Sequence, residues 1–248
     1  PASTTPLTTL KLAGVLDAVG VLPGVLNIVT GSGESAGAAI VRHPQIRKVS
    51  FTGNCLTGNK IREMAAGHVK DLTLELGGSD PMIVMADADL DRAVDGAVRG
   101  RFYNAGQTCT AVKRLYVHEN IAPRFIKKLQ ARIDSLTVGN GLATKIDIGP
   151  MNSAGQREKI SRIVEETRNE KNGTILTGGY ALKGTAYEKG YFYRPTLVTN
   201  ASPDSRLFTS EIFGPVLPVM NFPDLDTAIH LANSTRYGLG ASVWTKDL

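Results

Sequence analysis

Cys109 stands in the stretch FYNAGQTCTAVK (102–113) and is one of two cysteines in the chain. A cysteine used as a small hydrophobe keeps apolar company. The neighbours here are Gly106, Gln107, Thr108 and Thr110, small or polar, as suits a sulfur that must be reached. Glu75 ends the run Leu72-Thr-Leu-Glu and is followed by Leu76 and the pair Gly77-Gly78. A carboxylate at a strand's end beside a glycine turn lies where an α/β sheet meets its ligand crevice. Partial burial there would raise its pKa and suit it to general-base work. A salt-bridged structural glutamate at a domain joint explains the same residue equally well.

Other spacings are weaker or fail. Gly31-x-Gly33-x-x-x-Gly37 has the form of a turn that presents helix N-terminal amides to a pyrophosphate, but is one residue too long. A plain glycine-rich βα turn fits it as well. Gly53-Asn-Cys-Leu-Thr-Gly58-Asn59-Lys60 approaches a P-loop, yet Asn59 displaces the lysine and no Ser or Thr follows it. That turn could still offer backbone N–H groups to a phosphate. Asp87, Asp89 and Asp91 have calcium-loop spacing, but Arg92 and Val98 stand where glycine and glutamate are required. A helix start rich in acids explains them better. The four histidines, His43, His68, His118 and His230, show no metal-ligand spacing, and no metal is expected.

Composition narrows the class further. The 248 residues are 42% hydrophobic and 21% charged, with mean hydropathy −0.07, ordinary for a globular protein with a sizeable core. No apolar run reaches the roughly 18 residues of a membrane span. Pro1 to Pro6 has neither the basic flank nor the apolar core of a secretory signal. Asn172-Gly-Thr174, Asn200-Ala-Ser202 and Asn233-Ser-Thr235 are then chance glycosylation triplets. Two cysteines cannot staple a fold, so a reducing, cytoplasmic setting is expected. The net charge of +5 is spread out, with no basic cluster interleaved with aromatics, so neither nucleic acid nor membrane is an expected partner.

These residues need elements to hold them. The sequence predicts an amphipathic helix over 7–19, a short strand over 25–29 and a helix over 34–41. A strand follows at 48–51, a helix through 66 and a strand at 72–76. Beyond Gly77-Gly78, the expected domain boundary, strands are predicted at 82–85, 115–117, 174–177 and 193–198. Helices are predicted over 90–103, 121–136, 153–168 and 225–233. Strands separated by helix-length segments imply βαβ units and a parallel sheet.

Taken together, LTLELGGSDP (72–81), FYNAGQTC (102–109), SEIFGPV (210–216), SFTGN (50–54) and GSGESAG (31–37) resemble the NAD(P)-dependent aldehyde dehydrogenase superfamily, in the family's order. The resemblance spans the chain. It implies an α/β fold: residues 1–76 as the C-terminal part of a Rossmann-like dinucleotide-binding domain, then 77–248 as a nucleophile-bearing catalytic domain. Family chains are about twice as long, so it also implies an internal fragment, truncated at both ends. The upstream oxyanion asparagine and a lysine just before Pro1 would be missing, and such a fragment alone is expected to be inactive.

By resemblance Cys109 is the nucleophile that attacks an aldehyde, passing through a thiohemiacetal to a thioester. Glu75 activates the water that hydrolyses the thioester to a carboxylic acid. Coenzyme-A-acylating relatives generally lack that glutamate, so the resemblance favours hydrolysis here. Gly33 and Gly37 match the dinucleotide turn. Phe51, Thr52, Gly53, Asn54, Leu76 and Gly77 fall in the cofactor motifs. Glu211 and Phe213 match the residues that hold the nicotinamide ribose and nicotinamide. Asn54 replaces a common serine, which puts its phosphate contact in doubt. Ser3 replaces the glutamate by which many NAD enzymes bind the adenosine ribose, which leans the expected cofactor from NAD to NADP. The context NAGQTC…RLYV (104–117) looks most like the semialdehyde and hydroxyaldehyde branch. Ala111 stands where some of that branch carry a second cysteine, so no disulfide forms within this loop. The resemblance further implies a small-molecule aldehyde substrate and a homodimer or homotetramer at full length. A catalytically inactive or structural protein on the same scaffold is the competing reading, though Glu75 and Cys109 both survive.

Overall fold

The computed structural model describes residues 1–170 and 172–247. The chain divides into two compact units, one over Pro1–Leu76 and one from Gly77 onward.

In the first unit, α1 (Leu7–Ala18) is followed by a π-helical turn over Gly33–Gly37 and α2 (Ala38–Arg42). Then come β1 (Lys48–Thr52), α3 (Cys55–Ala65) and β2 (Asp71–Glu75). β1 and β2 pair in parallel, from Lys48 opposite Asp71 to Thr52 opposite Glu75, with α3 as the crossover. Asn54 starts α3 by accepting the Thr57 N–H at 2.9 Å, a side-chain cap that meets an otherwise orphaned donor. Gly58, Ile61 and Ala65 repeat at helical spacing and form its buried face. Ile61 and Ala65 join Val41 and Val49 in a small core, with Leu72 and Leu74 packed against it.

Two expectations fail in this unit. Helix α1 forms, but its apolar residues run round the helix instead of making one stripe, and none is buried. Residues 25–29 are not a strand. β1 pairs with β2 alone in a two-stranded sheet, so Val25–Val29 has no ladder partner among the described residues.

The second unit is built on a six-stranded sheet in the order β5-β6-β7-β4-β3-β8. Its elements are β3 (Asp80–Val84), α4 (Leu90–Phe102), β4 (Val112–His118), α5 (Ala122–Asp134) and α6 (Ala154–Asn169). They continue with β5 (Thr174–Thr177), β6 (Thr196–Thr199), α7 (Arg206–Thr209), β7 (Val216–Phe222), α8 (Leu225–Ala232) and β8 (Ser242–Trp244). Every pairing is parallel except β5 with β6. β3 is buried along its whole length, as a parallel strand covered on both faces should be. On α5, Ala122, Phe125, Leu129 and Ile133 form one buried stripe. Each large side chain taken from water this way contributes roughly 1.5–3 kcal/mol. Asp89 caps α4 by accepting the Asp91 and Arg92 N–H groups, which accounts for one acid of that cluster.

β7 and β8 were not expected from the sequence. β7 contains Pro218, which lacks a ladder donor and argues against a central strand. Pro218 lies opposite Val198 of β6, while pairing with β4 begins one residue later at Val219.

Candidate active site and cofactor cradle

Cys109 lies just past the end of α4, on a loop with unusual backbone. Asn104 and Ala105 have φ of 51° and 55°, and Gly106 has 72°. Left-handed non-glycine residues cost on the order of 1–3 kcal/mol each and persist only where surroundings enforce them. Here the side chains of Asn104 and Gln107 donate to each other's backbone carbonyls at 3.1 and 3.0 Å. The Gln107 Oε1 also accepts the Asn152 N–H at 2.8 Å. Gly106 is required twice over: by its φ, and because a side chain would collide with the Gly214 carbonyl.

Two buried cations, Arg101 and Lys113, flank this loop in sequence. Arg101, on the last turn of α4, donates to the carbonyls of Ile212 at 2.8 Å, Val112 at 3.4 Å and Gly214. Burial pulls its pKa down to about 9, against the pull of Glu211, so it remains a cation at neutral pH. Lys113, with no exposed side-chain surface, donates from Nζ to the Thr108 carbonyl at 2.9 Å and the Cys109 carbonyl at 2.7 Å. Burial and the Arg101 charge draw its pKa down to about 8, while Glu211, Asp80 and Cys109 oppose that shift. The Cys109 thiol itself is half-buried and free.

Glu211 stands 4.0 Å from Lys113 Nζ, and its Oε1 accepts the Gly78 N–H at 3.3 Å. A side chain at Gly77 would collide with the Glu211 carboxylate. The two glycines thus permit a carboxylate and the Cys109 loop to approach one backbone segment. Phe213 is half-buried, and its carbonyl accepts from Gln156 Nε2 at 2.7 Å.

Asp80 and Arg114 are buried as well. Arg114 holds the carbonyls of Ser79, Leu231 and Ala232 at 2.8–2.9 Å, tying β3 and the end of α8 to β4. Burial raises the Asp80 carboxyl above its ordinary 3.8, opposed by the Gly240 N–H and by Lys113 and Arg114.

The first unit carries a separate hollow of about 610 Å³, lined by Gly33, Gly37, Val41, Val49, Phe51, Lys60 and Met64 among others. An added side-chain carbon at Gly33 or Gly37 would meet nothing within 4 Å, so both glycines open onto free space. The volume and mostly apolar walls with a few polar groups suit a planar heteroaromatic ring with an attached sugar. Such a cradle fits the adenosine end of a dinucleotide. Ser3 is exposed in the first turn of the chain and is not among the lining residues.

Glu75, Leu76 and the SFTGN turn also belong to this unit. Leu72 and Leu74 turn to the core, so alternation sends Glu75 to the opposite face, where it is exposed. The partial burial expected of Glu75 is therefore corrected. The Gly53 N–H, expected as a phosphate donor, is taken by the Glu75 carbonyl at 2.9 Å. The Phe51 ring lies against Gly53, and Leu76 packs on Gly58 where a side chain would collide. The Asn54 side chain is committed to capping α3, and Thr52 is exposed.

The profile of the aldehyde dehydrogenase family matches residues 1–248. The chain belongs to that family. It is 43% identical over 248 residues to peroxisomal aminoaldehyde dehydrogenase 2 of Pisum sativum, covering 100% of this chain and 49% of that protein. It is 45% identical over 249 residues to aldehyde dehydrogenase 1A1 of Mesocricetus auratus, again covering 49% of that protein. Among solved structures it superposes with TM-score 0.97 on 3,6-anhydro-L-galactose dehydrogenase bound to NAP, at 38% identity over 100% of this chain and 52% of that one. It matches betaine aldehyde dehydrogenase of Staphylococcus aureus bound to NAD+ with TM-score 0.95, at 36% identity over 100% and 49%. The chain therefore spans about half the length of the relatives it matches, with their α/β fold.

Sequence reasoning missed Arg101 and Lys113. Their signal was present: Arg101 interrupts the apolar stripe of α4, and Lys113-Arg114 opens an otherwise apolar strand. Buried positions with unpaired charge call for partners.

Proposed function

We propose that the protein oxidises an aldehyde to a carboxylic acid with NADP or NAD. The observation that carries the reading is the Cys109 loop: a half-buried free thiol on strained, cross-bonded backbone whose carbonyls are held by a buried ammonium. The Cys109 thiolate attacks the aldehyde carbon, and the oxyanion that forms takes a hydrogen bond from the Cys109 N–H. The chemistry a bound dinucleotide supplies is hydride acceptance, which turns the thiohemiacetal on Cys109 into a thioester. Glu75 then takes a proton from water, which attacks the thioester carbon, releasing the acid and restoring the thiol.

In the first unit Gly33, Gly37 and Phe51 would hold the adenosine end, with Ser3, Thr52 and Leu76 as further candidates, whereas the Gly53 N–H and the Asn54 side chain are already engaged within the unit. In the second unit Gly77, Glu211 and Phe213 are the candidates for the nicotinamide ribose and ring. NADP is favoured because Ser3 brings no carboxylate to repel a 2′-phosphate, and Lys60 lines the cradle. The substrate class is a semialdehyde, hydroxyaldehyde or similar polar aldehyde, consistent with the aminoaldehyde and anhydrosugar dehydrogenases among the relatives. The full-length form is a homodimer or homotetramer, which sedimentation tests.

In the full-length protein, Cys109→Ser should abolish aldehyde oxidation while cofactor binding stays intact. Iodoacetamide should label Cys109 well before Cys55, the first residue of α3. Activity surviving Cys109→Ser, or Cys55 labelling first by peptide mapping, would overturn the assignment.

A further inference from the structure

Lys113 is costly where it is. A lysine with no exposed surface must have its charge met, and a hydrophobic side chain of similar size is often as stabilising or more so. Packing alone therefore gives no reason for a cation at this position.

Its hydrogen bonds do. The carbonyls it holds, Thr108 and Cys109, belong to the two peptide units that flank the Cys109 α-carbon. A trans peptide is planar, so its N–H points opposite its C=O. Turning the Thr108 carbonyl toward the buried ammonium therefore turns the Cys109 N–H away from it. A cation bound to the carbonyl also polarises that amide and strengthens its N–H as a donor.

We propose that Lys113 is a positioning residue for the reaction: a buried ammonium that locks both peptide units around Cys109 and presets the Cys109 N–H for the oxyanion. The inference rests on Cys109 being the nucleophile. The charged groups facing Lys113 are Arg101 from α4, Asp80 from β3 and Glu211 from the segment before β7. Their balance with burial leaves the ammonium form predominant at neutral pH, since its pKa is about 8.

The test compares full-length wild type, Lys113→Met and Lys113→Arg in the pre-steady-state burst of reduced cofactor. Iodoacetamide labelling counts intact Cys109 sites alongside. In Lys113→Met each chain should still label at Cys109, and the aldehyde KM should stay within about 3-fold. The burst rate constant should fall by at least about 30-fold, less than the roughly 100-fold or more for removing an oxyanion donor outright. Lys113→Arg, which keeps the cation, should recover part of that rate. A wild-type burst rate in Lys113→Met overturns the inference. So does a smaller burst amplitude that tracks lost Cys109 labelling at an unchanged rate, which would make Lys113 purely structural. If Lys113→Met does not fold, Lys113→Gln, with a donor but no charge, is read by the same criteria. Cys109→Ser run in parallel separates the two readings. Activity in that variant overturns the nucleophile itself, whereas an inactive Cys109→Ser beside a fast Lys113→Met overturns the role of Lys113 alone.

Discussion

The α-carbon of Gly78 is pressed against the backbone of Cys109: a methyl group there would lie 2.7 Å from the Cys109 carbonyl oxygen and 3.1 Å from Leu239 Cβ. The same carbonyl is held from another side by Lys113 at 2.7 Å.

Gly78→Ala should therefore displace the Cys109 loop. Overpacking of this kind costs about 1–3 kcal/mol of stability. A shift near 1 Å at the reacting group costs about 100-fold in rate. Urea unfolding and the burst rate of the full-length protein measure the two effects. An unchanged burst rate would show that the loop tolerates the added carbon.

Glu75→Gln removes the proposed base and keeps the shape. One turnover of hydride transfer should survive, followed by a slow steady rate as the thioester accumulates. Stopped-flow detection of reduced cofactor, with trapping of the acyl-enzyme by mass spectrometry, reads this directly. Loss of the burst itself would place Glu75 earlier, as the base that deprotonates Cys109.

Ser3→Glu should move cofactor preference from NADP toward NAD. A carboxylate beside a 2′-phosphate in a partly exposed groove is worth about 1–2 kcal/mol, or roughly ten- to thirty-fold in the ratio of kcat/KM values. An unaltered ratio would remove Ser3 from the cofactor set, in keeping with its absence from the lining of the cradle.

Asp80→Asn tests the cost of the buried carboxyl. Burial raises the Asp80 pKa above 3.8, so the folded protein keeps a proton at pH values where the unfolded chain has lost it. Stability from this group is thus present below 3.8 and is lost as pH rises through the folded value. Asparagine still accepts from the Gly240 N–H and cannot ionise. The variant's Tm should match wild type near pH 3.8 and exceed it increasingly toward neutrality. A gap that reverses with rising pH would mean that Lys113 and Arg114 outweigh desolvation.

The sequence alone determined what local physics decides. The α5 stripe of Phe125, Leu129 and Ile133 is legible as a helix because its burial repeats every three or four residues. Cys109, Glu75 and the glycines around them stand out by residue type and setting, while the roles proposed for them come from the family resemblance. Even the exposed face of Glu75 was there to read, in its alternation with Leu72 and Leu74. Tertiary structure decided the rest. Val216–Phe222 becomes a central strand despite Pro218 because β4 and β6 lie on either side of it, and Val25–Val29 remains irregular because no strand among the described residues lies beside it. A strand exists through hydrogen bonds to residues distant in sequence, which no local pattern contains. Lys113 bonds the Cys109 carbonyl four residues away, while Glu211 comes to 4.0 Å of the same ammonium from far along the chain. Such charges can be buried only where the fold brings their partners together, so their roles become visible once those partners are in place.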